Sequence, residues 1–367
     1  MKHYNKQMIR KALIPLFLFF ICFGCNRKND VLGKYKQEIP LTIQREVIIN
    51  HQLNPKQIYL MNDVIVLQND DTDGYRFSII DTSNFQLIAR FGRQGSGPNE
   101  IGAVCRINKI NGDSIIVGDI DMESYLFSIK KIIEGDLNPI KVYAPTDENG
   151  KIRSGSITII GDENFVITTG MFAKGRYAIL DTTDKIKAYY VAYPEFDNPD
   201  NDSLLQALAF QSVLCNRNKD NMFASISNGI IDIAKCKPSG EIVLITRNKY
   251  YDTEKKHTRN VSIDGTNIPV VATSVMAMAG FDEWHFQGTA NRIYCLFTPK
   301  KFEDFMGHGE RLAYSDLLSM DWNGKQQTHY LIGREVNGCA VSDDDSIVYF
   351  LAHNENDDPV ILKSYLK

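Results

Sequence analysis

Residues 91–101 read F-G-R-Q-G-S-G-P-N-E-I, and this stretch decides the fold. It lies between two segments with the alternating pattern of β-strands, residues 75–89 and 103–107. Its glycines permit backbone angles that are closed to other residues, and its proline fixes one direction of the chain. In a β-propeller the chain passes from the outermost strand of one blade to the innermost strand of the next, a step of roughly 14 Å over three strand spacings. The stretch therefore predicts such a crossover, with Arg93 and Gln94 at the mouth of a central channel.

A short phrase repeats on both sides of this stretch: a turn of Asn, Asp or Gly that opens onto a strand of β-branched or aromatic residues. It occurs at residues 62–67, 112–117, 161–167, 220–224, 291–296 and 345–350. The openings follow one another at roughly 50 to 70 residues, close to or above the period of long propeller repeats. The spacing predicts an all-β fold with six blades.

The two ends of the chain predict how this ring closes. Residues 41–49 form a strand-like run just after the N-terminal segment, and residues 360–366 form the last such run. Pairing the two would remove both open sheet edges, which otherwise expose unpaired backbone groups. We therefore expect a single six-bladed β-propeller domain over residues 40–367, closed by pairing of the N-terminal strand with the last blade.

The first residues predict export. A basic segment with Lys2, Lys6, Arg10 and Lys11 precedes an apolar run at residues 12–23, which is too short to span a hydrocarbon core of ~30 Å. Residues 21–25, I-C-F-G-C, resemble the lipobox of bacterial lipoproteins. We expect a signal peptide at residues 1–24, a lipidated Cys25, and a tether that extends to residue 39. An ordinary secretory signal or an uncleaved anchor is the alternative.

Composition and charge restrict the partners. The chain of 367 residues is 43% hydrophobic and 10% aromatic, as in a globular protein with a core. Removal of residues 1–24 takes away four basic residues and no acidic ones, so the net charge changes from -4 to -8. Such a surface repels nucleic acid, and no basic cluster opposes this interpretation.

The cysteines beyond the signal peptide favour no metal or redox site. They are Cys105, Cys215, Cys236, Cys295 and Cys339. Their number is odd and no C-x-x-C spacing occurs among them, so neither a zinc site nor a redox motif is supported. A disulfide between Cys215 and Cys236 in an oxidising compartment is one alternative, and buried thiols that pack as small hydrophobic groups are the other.

The glycine-rich stretch also supplies candidate ligand-binding residues. It lacks the Lys-Ser/Thr of a phosphate loop and the third glycine of a dinucleotide motif, so a nucleotide cofactor is not predicted. Arg93 and Gln94 are candidates for binding an anionic or polar group through charge-assisted hydrogen bonds. The alternative is structural: Arg93 and Glu100 brace the crossover.

Two further clusters invite a functional interpretation. Trp284 and His285, in the run D-E-W-H, have the residue types of a polar site with an aromatic platform, as a sugar would use, although a packed Trp284 is the plainer alternative. The run D-I-D-M-E at residues 119–123 places three carboxylates on one face of an extended strand, but it lacks the glycine and glutamate of an EF-hand. A solvated strand end is therefore expected there, and no metal.

Several of these segments resemble one family. The crossover stretch, the D-S-I-I-V-G-D-I that follows it, and the later M-D-W-N-G-K and D-D-S-I-V-Y-F-L-A are similar to the TolB-like six-bladed β-propeller lipoproteins of Gram-negative envelopes. The resemblance covers residues of roughly 40 to 367. It implies a fold and an envelope location, expected at the outer membrane on its periplasmic or surface side, but it implies no catalytic residues.

The predicted function is accordingly non-catalytic. We expect a lipid-anchored binding or interaction module whose protein, peptide or saccharide ligand binds at the channel mouth, without a cofactor. Long segments at residues 250–259 and 300–311 suit this use, because binding residues concentrate on loops. The alternative is a propeller lyase or hydrolase, which would need acids, bases or a metal to converge in the channel.

Overall fold

The computed structural model describes residues 31–49, 53–69, 74–120, 122–152, 154–161, 165–195, 203–217, 219–251, 257–263, 266–272, 278–301 and 312–366. The predicted signal peptide, Cys25, Asp121 and residues 302–311 lie outside the described residues. The chain divides into two units, residues 1–34 and residues 35–367. The described part of the first unit contains one 3-10 turn, Leu32–Lys34.

The second unit begins with two strands that join blades formed much later in the chain. These are β1 (Gln37–Pro40) and β2 (Ile43–Ile48). The first two blades follow as antiparallel sheets of consecutive strands. Their strands are β3 (Pro55–Met61), β4 (Val64–Asn69), β5 (Tyr75–Asp81), β6 (Leu87–Arg93), β7 (Val104–Lys109), β8 (Ser114–Asp119), β9 (Ser124–Ser128) and β10 (Lys141–Tyr143). Helix α1 (Ile129–Ile133) follows β9 and is capped by the Ser128 side chain.

The third and fourth blades repeat this arrangement after a small hairpin. The hairpin consists of β11 (Thr146–Asp147) and β12 (Gly150–Lys151). The blade strands are β13 (Ser154–Ile160), β14 (Phe165–Gly170), β15 (Tyr177–Leu180), β16 (Ile186–Tyr190), β17 (Val213–Arg217), β18 (Met222–Ser227), β19 (Ile230–Cys236) and β20 (Ile242–Lys249). A short helix, α2 (Ser203–Ala209), connects the two blades, and the 3-10 turn Lys219–Asn221 connects β17 to β18.

The fifth and sixth blades complete the ring. They are preceded by a second hairpin, β21 (His257–Ile263) and β22 (Thr266–Ala272). The fifth blade contains β23 (Met278–Phe281), β24 (Gln287–Gly288), β25 (Arg292–Lys301), β26 (Tyr314–Asp321) and β27 (Gln326–Val336). The sixth contains β28 (Gly338–Val341), β29 (Ile347–His353) and β30 (Pro359–Tyr365). The described strands thus form the six blades that the repeated phrase predicts, and the phrase marks the start of the second strand in each: β4, β8, β14, β18, β25 and β29.

The N-terminal strands close the ring. Strand β2 pairs antiparallel with β30, with Ile48 opposite Val360, and becomes the outermost strand of the sixth blade. Strand β1 pairs in parallel with β27 and becomes the outermost strand of the fifth. The predicted closure by the N-terminal strand is confirmed.

The stretch at residues 91–101 is the crossover that the sequence predicts, because it leads from β6, the outermost strand of the first blade, to β7, the innermost of the second. Phe91 and Ile101 are fully buried in the core shared by these blades, and the Phe91 ring lies 5.1 Å from that of Phe127 in β9. Gly92 has a φ of +67°, and a Cβ there would lie 2.8 Å from the ring of Phe77. Glycine is required at this position by both conformation and space.

The structure does not contain the Cys215–Cys236 disulfide that the sequence left open. Cys215 lies in β17 and Cys236 in β19, with β18 between them, and both are buried thiols that form no disulfide. Two strand spacings amount to ~9.6 Å, more than the ~7 Å between Cα atoms that a disulfide tolerates. These two cysteines therefore pack as apolar groups.

Candidate ligand-binding cavity

The innermost strand of the fifth blade is interrupted by a bulge that projects towards the propeller axis. Phe281 in β23 lies opposite Phe297, and Gln287 in β24 lies opposite Tyr294. Five residues, 282–286, thus face only two on β25, so the extra chain is expelled from the sheet. Such bulges redirect side chains and are common next to binding sites. We call residues 282–286 the axial bulge.

His285 anchors the axial bulge to the first blade. Its Nδ1 atom faces the Asp282 carboxylate, and its Nε2 atom accepts a hydrogen bond of 3.3 Å from the backbone N–H of Ile58 in β3. This pattern assigns the proton to Nδ1, which donates to Asp282. A Cβ on Gly338, at the start of β28, would lie 2.4 Å from Nε2. The sixth blade therefore needs glycine where the imidazole packs.

Two more side chains of the axial bulge contact other blades. The Trp284 ring, 37% exposed, lies 4.6 Å from the guanidinium carbon of Arg106 in β7. The Glu283 carboxylate accepts a hydrogen bond of 2.7 Å from the backbone N–H of Asn228, in the turn between β18 and β19. The axial bulge is thus held by the first, second, fourth and sixth blades, which only an element at the axis can contact together.

A cavity of about 210 Å³ lies on one side of the axial bulge, and we call it the axial cavity. Five blades line it, through residues in or just after their innermost strands. The lining residues are Tyr59, Leu60, Ile107, Asn108, Lys109, Ile110, Cys215, Asn216, Arg217, Lys219, His285, Phe286, Gln287, Gly288, Thr289, Ala290, Cys339 and Asp343. His285 and Phe286 form its floor.

The axial cavity lies towards the face of the propeller opposite the crossovers. Innermost strands begin where a crossover ends, as β7 does at Val104, and the cavity is lined by the far end of that strand, residues 107–110. At ~3.3 Å per residue, the length of β7 puts roughly 16 Å between the two faces. We refer to them as the crossover face and the cavity face.

Side-chain amides fasten the innermost strands to one another around the cavity. Asn108 Nδ2 donates to the carbonyl oxygen of Ile157 at 2.9 Å, which links the second blade to the third. Asn216 Nδ2, in the fourth blade, donates to the carbonyl oxygens of Ile110 at 2.8 Å and Ile159 at 3.0 Å. Because these bonds fix the strands relative to one another, the wall of the cavity is pre-organised.

The same fastening joins the last two blades. Gln287 Nε2, in the fifth blade, donates to the carbonyl oxygen of Cys339 at 3.3 Å, and its Oε1 atom accepts from the backbone N–H of Val341 at 3.0 Å. Both partners belong to β28. The amide of Gln287 therefore links the fifth and sixth blades in the way that Asn108 and Asn216 link the second, third and fourth.

Charged side chains stand where the cavity opens. The Lys109 amine lies 2.6 Å from the Asp343 carboxylate, across the opening between the second and sixth blades. Arg217 lies 3.6 Å from Asp220, and the exposed Lys219 completes the group. The lining thus contains three basic groups and one acidic group, in a chain whose net charge is -4.

The thiols and the phenol of the wall are held in their neutral forms. Burial raises the pKa of the Cys215 thiol well above its ordinary value, and burial does the same to the Cys339 thiol. Burial also raises the pKa of Tyr59, whose hydroxyl donates to the Gln57 side chain. Since only a thiolate is a strong nucleophile, these neutral thiols are suited to packing in the cavity wall rather than to nucleophilic catalysis.

The candidate residues that the sequence analysis proposed lie in two different parts of the structure. His285 lies in the floor of the cavity, and Trp284 lies beside it on the other side of the axial bulge. Arg93 ends β6, the outermost strand of its blade, with its side chain 74% exposed. Because three strands separate β6 from the axis, the expected position of Arg93 and Gln94 at the channel mouth is wrong.

The structural alternative for these crossover residues has direct support. Glu100 Oε2 accepts a hydrogen bond of 2.9 Å from the backbone N–H of Gly97, and its Oε1 atom lies 3.9 Å from Arg93 Nε. The backbone N–H of Gln94 donates to Gly74 at 2.8 Å. An exposed ion pair at this distance stabilises little, so the turn is braced mainly by its hydrogen bonds.

Asp119, the first residue of the acidic run at residues 119–123, has an internal role rather than a solvated one. The Asp119 side chain is buried and accepts hydrogen bonds from the backbone N–H groups of Gly102 and Ala103, at 2.9 Å and 2.8 Å. Glu123 pairs with Lys151 at 3.0 Å. The expected solvated strand end is therefore wrong for Asp119, which fixes the end of the crossover. Within the described part of the chain, no three His, Cys, Asp or Glu residues are grouped as metal ligands.

The residues that line the cavity opening were missed at the sequence level. One signal was present: the amide–cation pairs Asn108–Lys109 and Asn216–Arg217 each end the innermost strand of a blade. Asp343 lies in the turn between β28 and β29, and its carboxylate reaches Lys109 in the second blade.

Known proteins share the fold of this chain. A family model described as TolB-like 6-blade propeller-like matches residues 41–344. Among solved structures, a crystal structure of a member of the duf4221 family from Bacteroides vulgatus atcc 8482 is similar, with a TM-score of 0.58 and 12% identity over 90% of this chain and 99% of that chain. At this identity the likeness concerns the fold alone. No match was found among curated proteins.

The described residues include no helix that is long and apolar enough to cross a membrane.

Proposed function

The chain belongs to the TolB-like six-bladed propeller family, and from this premise we propose that it is a non-catalytic binding module whose ligand enters the axial cavity. The observation that carries the proposal is the cavity itself. It is concave, closed on one side by the axial bulge, and lined by polar groups that amide hydrogen bonds hold in place. Sites of this kind, on a rigid scaffold and with few converging polar groups, are typical of ligand binding.

A substitution at the cavity opening tests this proposal. Ala290 lines the opening and is exposed, so the ring of Ala290→Trp would obstruct the cavity without entering the core. In a thermal-shift screen against envelope saccharides and peptides, we expect wild type to be stabilised by a bound compound and Ala290→Trp to lose that stabilisation. The control is Asn356→Trp, which adds the same ring to an exposed turn between β29 and β30 on the crossover face. A ligand that stabilises Ala290→Trp as well as it stabilises the control would place binding elsewhere and contradict the proposal.

The enzyme alternative has weaker support from the same residues. Both ring nitrogens of His285 already have hydrogen-bond partners, in Asp282 and in the backbone of Ile58, so the imidazole has no nitrogen to offer a substrate. A general base must reach the proton that it removes. Mass spectrometry of each compound that binds, before and after incubation, distinguishes the two roles: a product formed by wild type and not by Ala290→Trp would favour a lyase or hydrolase.

We further propose that the module is exported and anchored in the bacterial envelope through a lipid on Cys25. The lipobox-like run at residues 21–25 and the general association of the family with the envelope support this. Cys25→Ala is expected to abolish incorporation of a labelled fatty acid, whereas Cys22→Ala, three residues earlier, should retain it. Labelling that persists in Cys25→Ala, or a precursor mass that does not respond to globomycin, would exclude the lipid anchor.

A further inference from the structure

We propose that the ligand of the axial cavity carries an anionic group, a carboxylate or a phosphate, which is bound by Lys109, Arg217 and Lys219. This inference rests on the proposed function and specifies the chemistry of its ligand. The three basic residues come from the ends of β7 and β17 and from the turn after β17, and they line one opening.

The cavity opening is rich in basic residues, whereas the net charge of the chain is negative. The whole sequence carries a net charge of -4, yet the opening combines three basic groups with only two carboxylates, that of Asp343 and that of Asp220 beside Arg217. A cleft lined by one sign of charge concentrates ions of the opposite sign. The basic residues of the opening thereby favour anions there, although the chain as a whole is acidic.

Arg217 has a donor available inside the protein. Its Nε atom is buried and, among the described residues, has no hydrogen-bond partner. Buried polar atoms without a partner are rare in native proteins and call for a missing one. The guanidinium is planar and binds carboxylate or phosphate through paired hydrogen bonds, so a rotation of this side chain towards the opening would present the unpaired Nε–H together with a terminal N–H to an anion.

Asp343 shows how such a group would bind. Its side chain is 55% exposed on the turn between β28 and β29, whereas that of Lys109 is only 14% exposed, and 2.6 Å separates the amine from the carboxylate. The mostly buried side chain of Lys109 is thus met by a carboxylate from a side chain that is mostly exposed. We infer that Asp343 competes with the ligand anion for Lys109.

The volume of the cavity restricts the size of the ligand. At about 210 Å³ it lies below the ~300–1,000 Å³ of pockets that enclose drug-sized molecules. It therefore suits a monosaccharide-sized acid, or the acidic end of something larger. The aromatic rings of Tyr59 and Phe286 and the amides of Asn108 and Gln287 provide apolar and polar wall for the rest of such a ligand.

Isothermal titration calorimetry with three defined probes tests the inference. D-glucuronate and D-glucose share a ring and differ in the carboxylate, and inorganic phosphate supplies the anion alone. We expect glucuronate to bind and glucose not to bind, with heat that weakens as salt is added. Binding of phosphate without glucuronate would identify the anion as a phosphate, which supports the same inference from the other source.

Matched variants locate the bound anion. Lys109→Gln and Lys219→Gln are each expected to weaken anion binding about tenfold, as the loss of one charge-assisted hydrogen bond does. Asp343→Asn should have the opposite effect and tighten binding about two- to fivefold, because it removes the competing carboxylate. Lys187→Gln changes the same charge on the exposed face of β16, outside the cavity, and should have no effect.

The possible failures are distinct. Glucose that binds as tightly as glucuronate, with no response to Lys109→Gln, would overturn the anion inference and leave the binding function intact. Anion binding that weakens equally in Lys187→Gln, or that Asp343→Asn does not tighten, would show a diffuse charge effect and overturn the site. If none of the probes or screened compounds binds wild type, the proposed function fails, and the inference fails with it.

Discussion

Asp232→Asn is expected to lower the free energy of unfolding by about 3–5 kcal/mol, the usual cost of removing one partner from a buried ion pair. The carboxylate lies 2.6 Å from the guanidinium of Arg176, and both side chains are fully buried. Asparagine would keep the volume but leave the arginine charge uncompensated inside the protein.

The surroundings of Asp232 explain why asparagine cannot substitute for it. Arg247 donates to both carboxylate oxygens at 2.8 Å, and the hydroxyl of Tyr177 donates to Oδ2 at 3.2 Å. An asparagine amide would present an N–H₂ group to donors at one of these positions, so hydrogen bonds would be lost together with the charge. Because Arg176 precedes β15 and Asp232 lies in β19, the damage falls on the contact between the third and fourth blades.

Urea unfolding followed by circular dichroism measures this effect. The control is Glu241→Gln, which also removes one negative charge from the fourth blade but breaks an exposed pair with Lys237. Exposed pairs of this kind are worth at most about 1 kcal/mol. If the two variants are equally stable, the buried cluster does not hold the blades together as its geometry indicates.

The blade pattern was readable from the sequence because it is local. Each repeated phrase is a turn followed by a strand within about six residues, and propensity and turn chemistry act at that range. The crossover was readable for the same reason: Gly92 needs a positive φ wherever the rest of the chain lies. The closure of the ring could be predicted because the run that forms β2 has no neighbouring strand in the sequence to pair with, which leaves the last blade as its partner.

The candidate site could not be read in the same way, because its parts meet only through the register and radius of the ring. Lys109 and Asp343 are separated by 234 residues, and Asn216 and Ile110 by 106. The run D-E-W-H was noticed for its residue types, but that it is a bulge depends on the pairing of Phe281 and Gln287 with β25. The prediction that Arg93 lies at the channel mouth was wrong because a crossover loop starts at the rim of the propeller. The distance of a residue from the propeller axis cannot be read from the sequence.

Because β2 closes the ring, a proline at one position of this strand should lower the free energy of unfolding strongly, and a proline at the next position should lower it only slightly. The backbone N–H of Ile49 donates to Pro359 at 2.9 Å. Because alternate residues of an antiparallel strand face the partner, the N–H of Val47 points at β30 and that of Ile48 points away from the sheet. Strand β2 is the outermost strand of its blade, so no strand in the described part of the chain pairs with its other edge in that sheet.

Val47→Pro is therefore expected to cost about 3 kcal/mol of unfolding free energy, since it removes a ladder hydrogen bond in the strand that completes the ring. Ile48→Pro introduces the same ring one residue later, at a side chain that is 55% exposed, and should cost clearly less, because proline is tolerated where the N–H faces outward from an edge strand. Urea midpoints of the two variants, measured side by side, give the comparison. Equal midpoints close to wild type would mean that the ring does not depend on β2, and a greater loss in Ile48→Pro would reverse the register on which the argument stands.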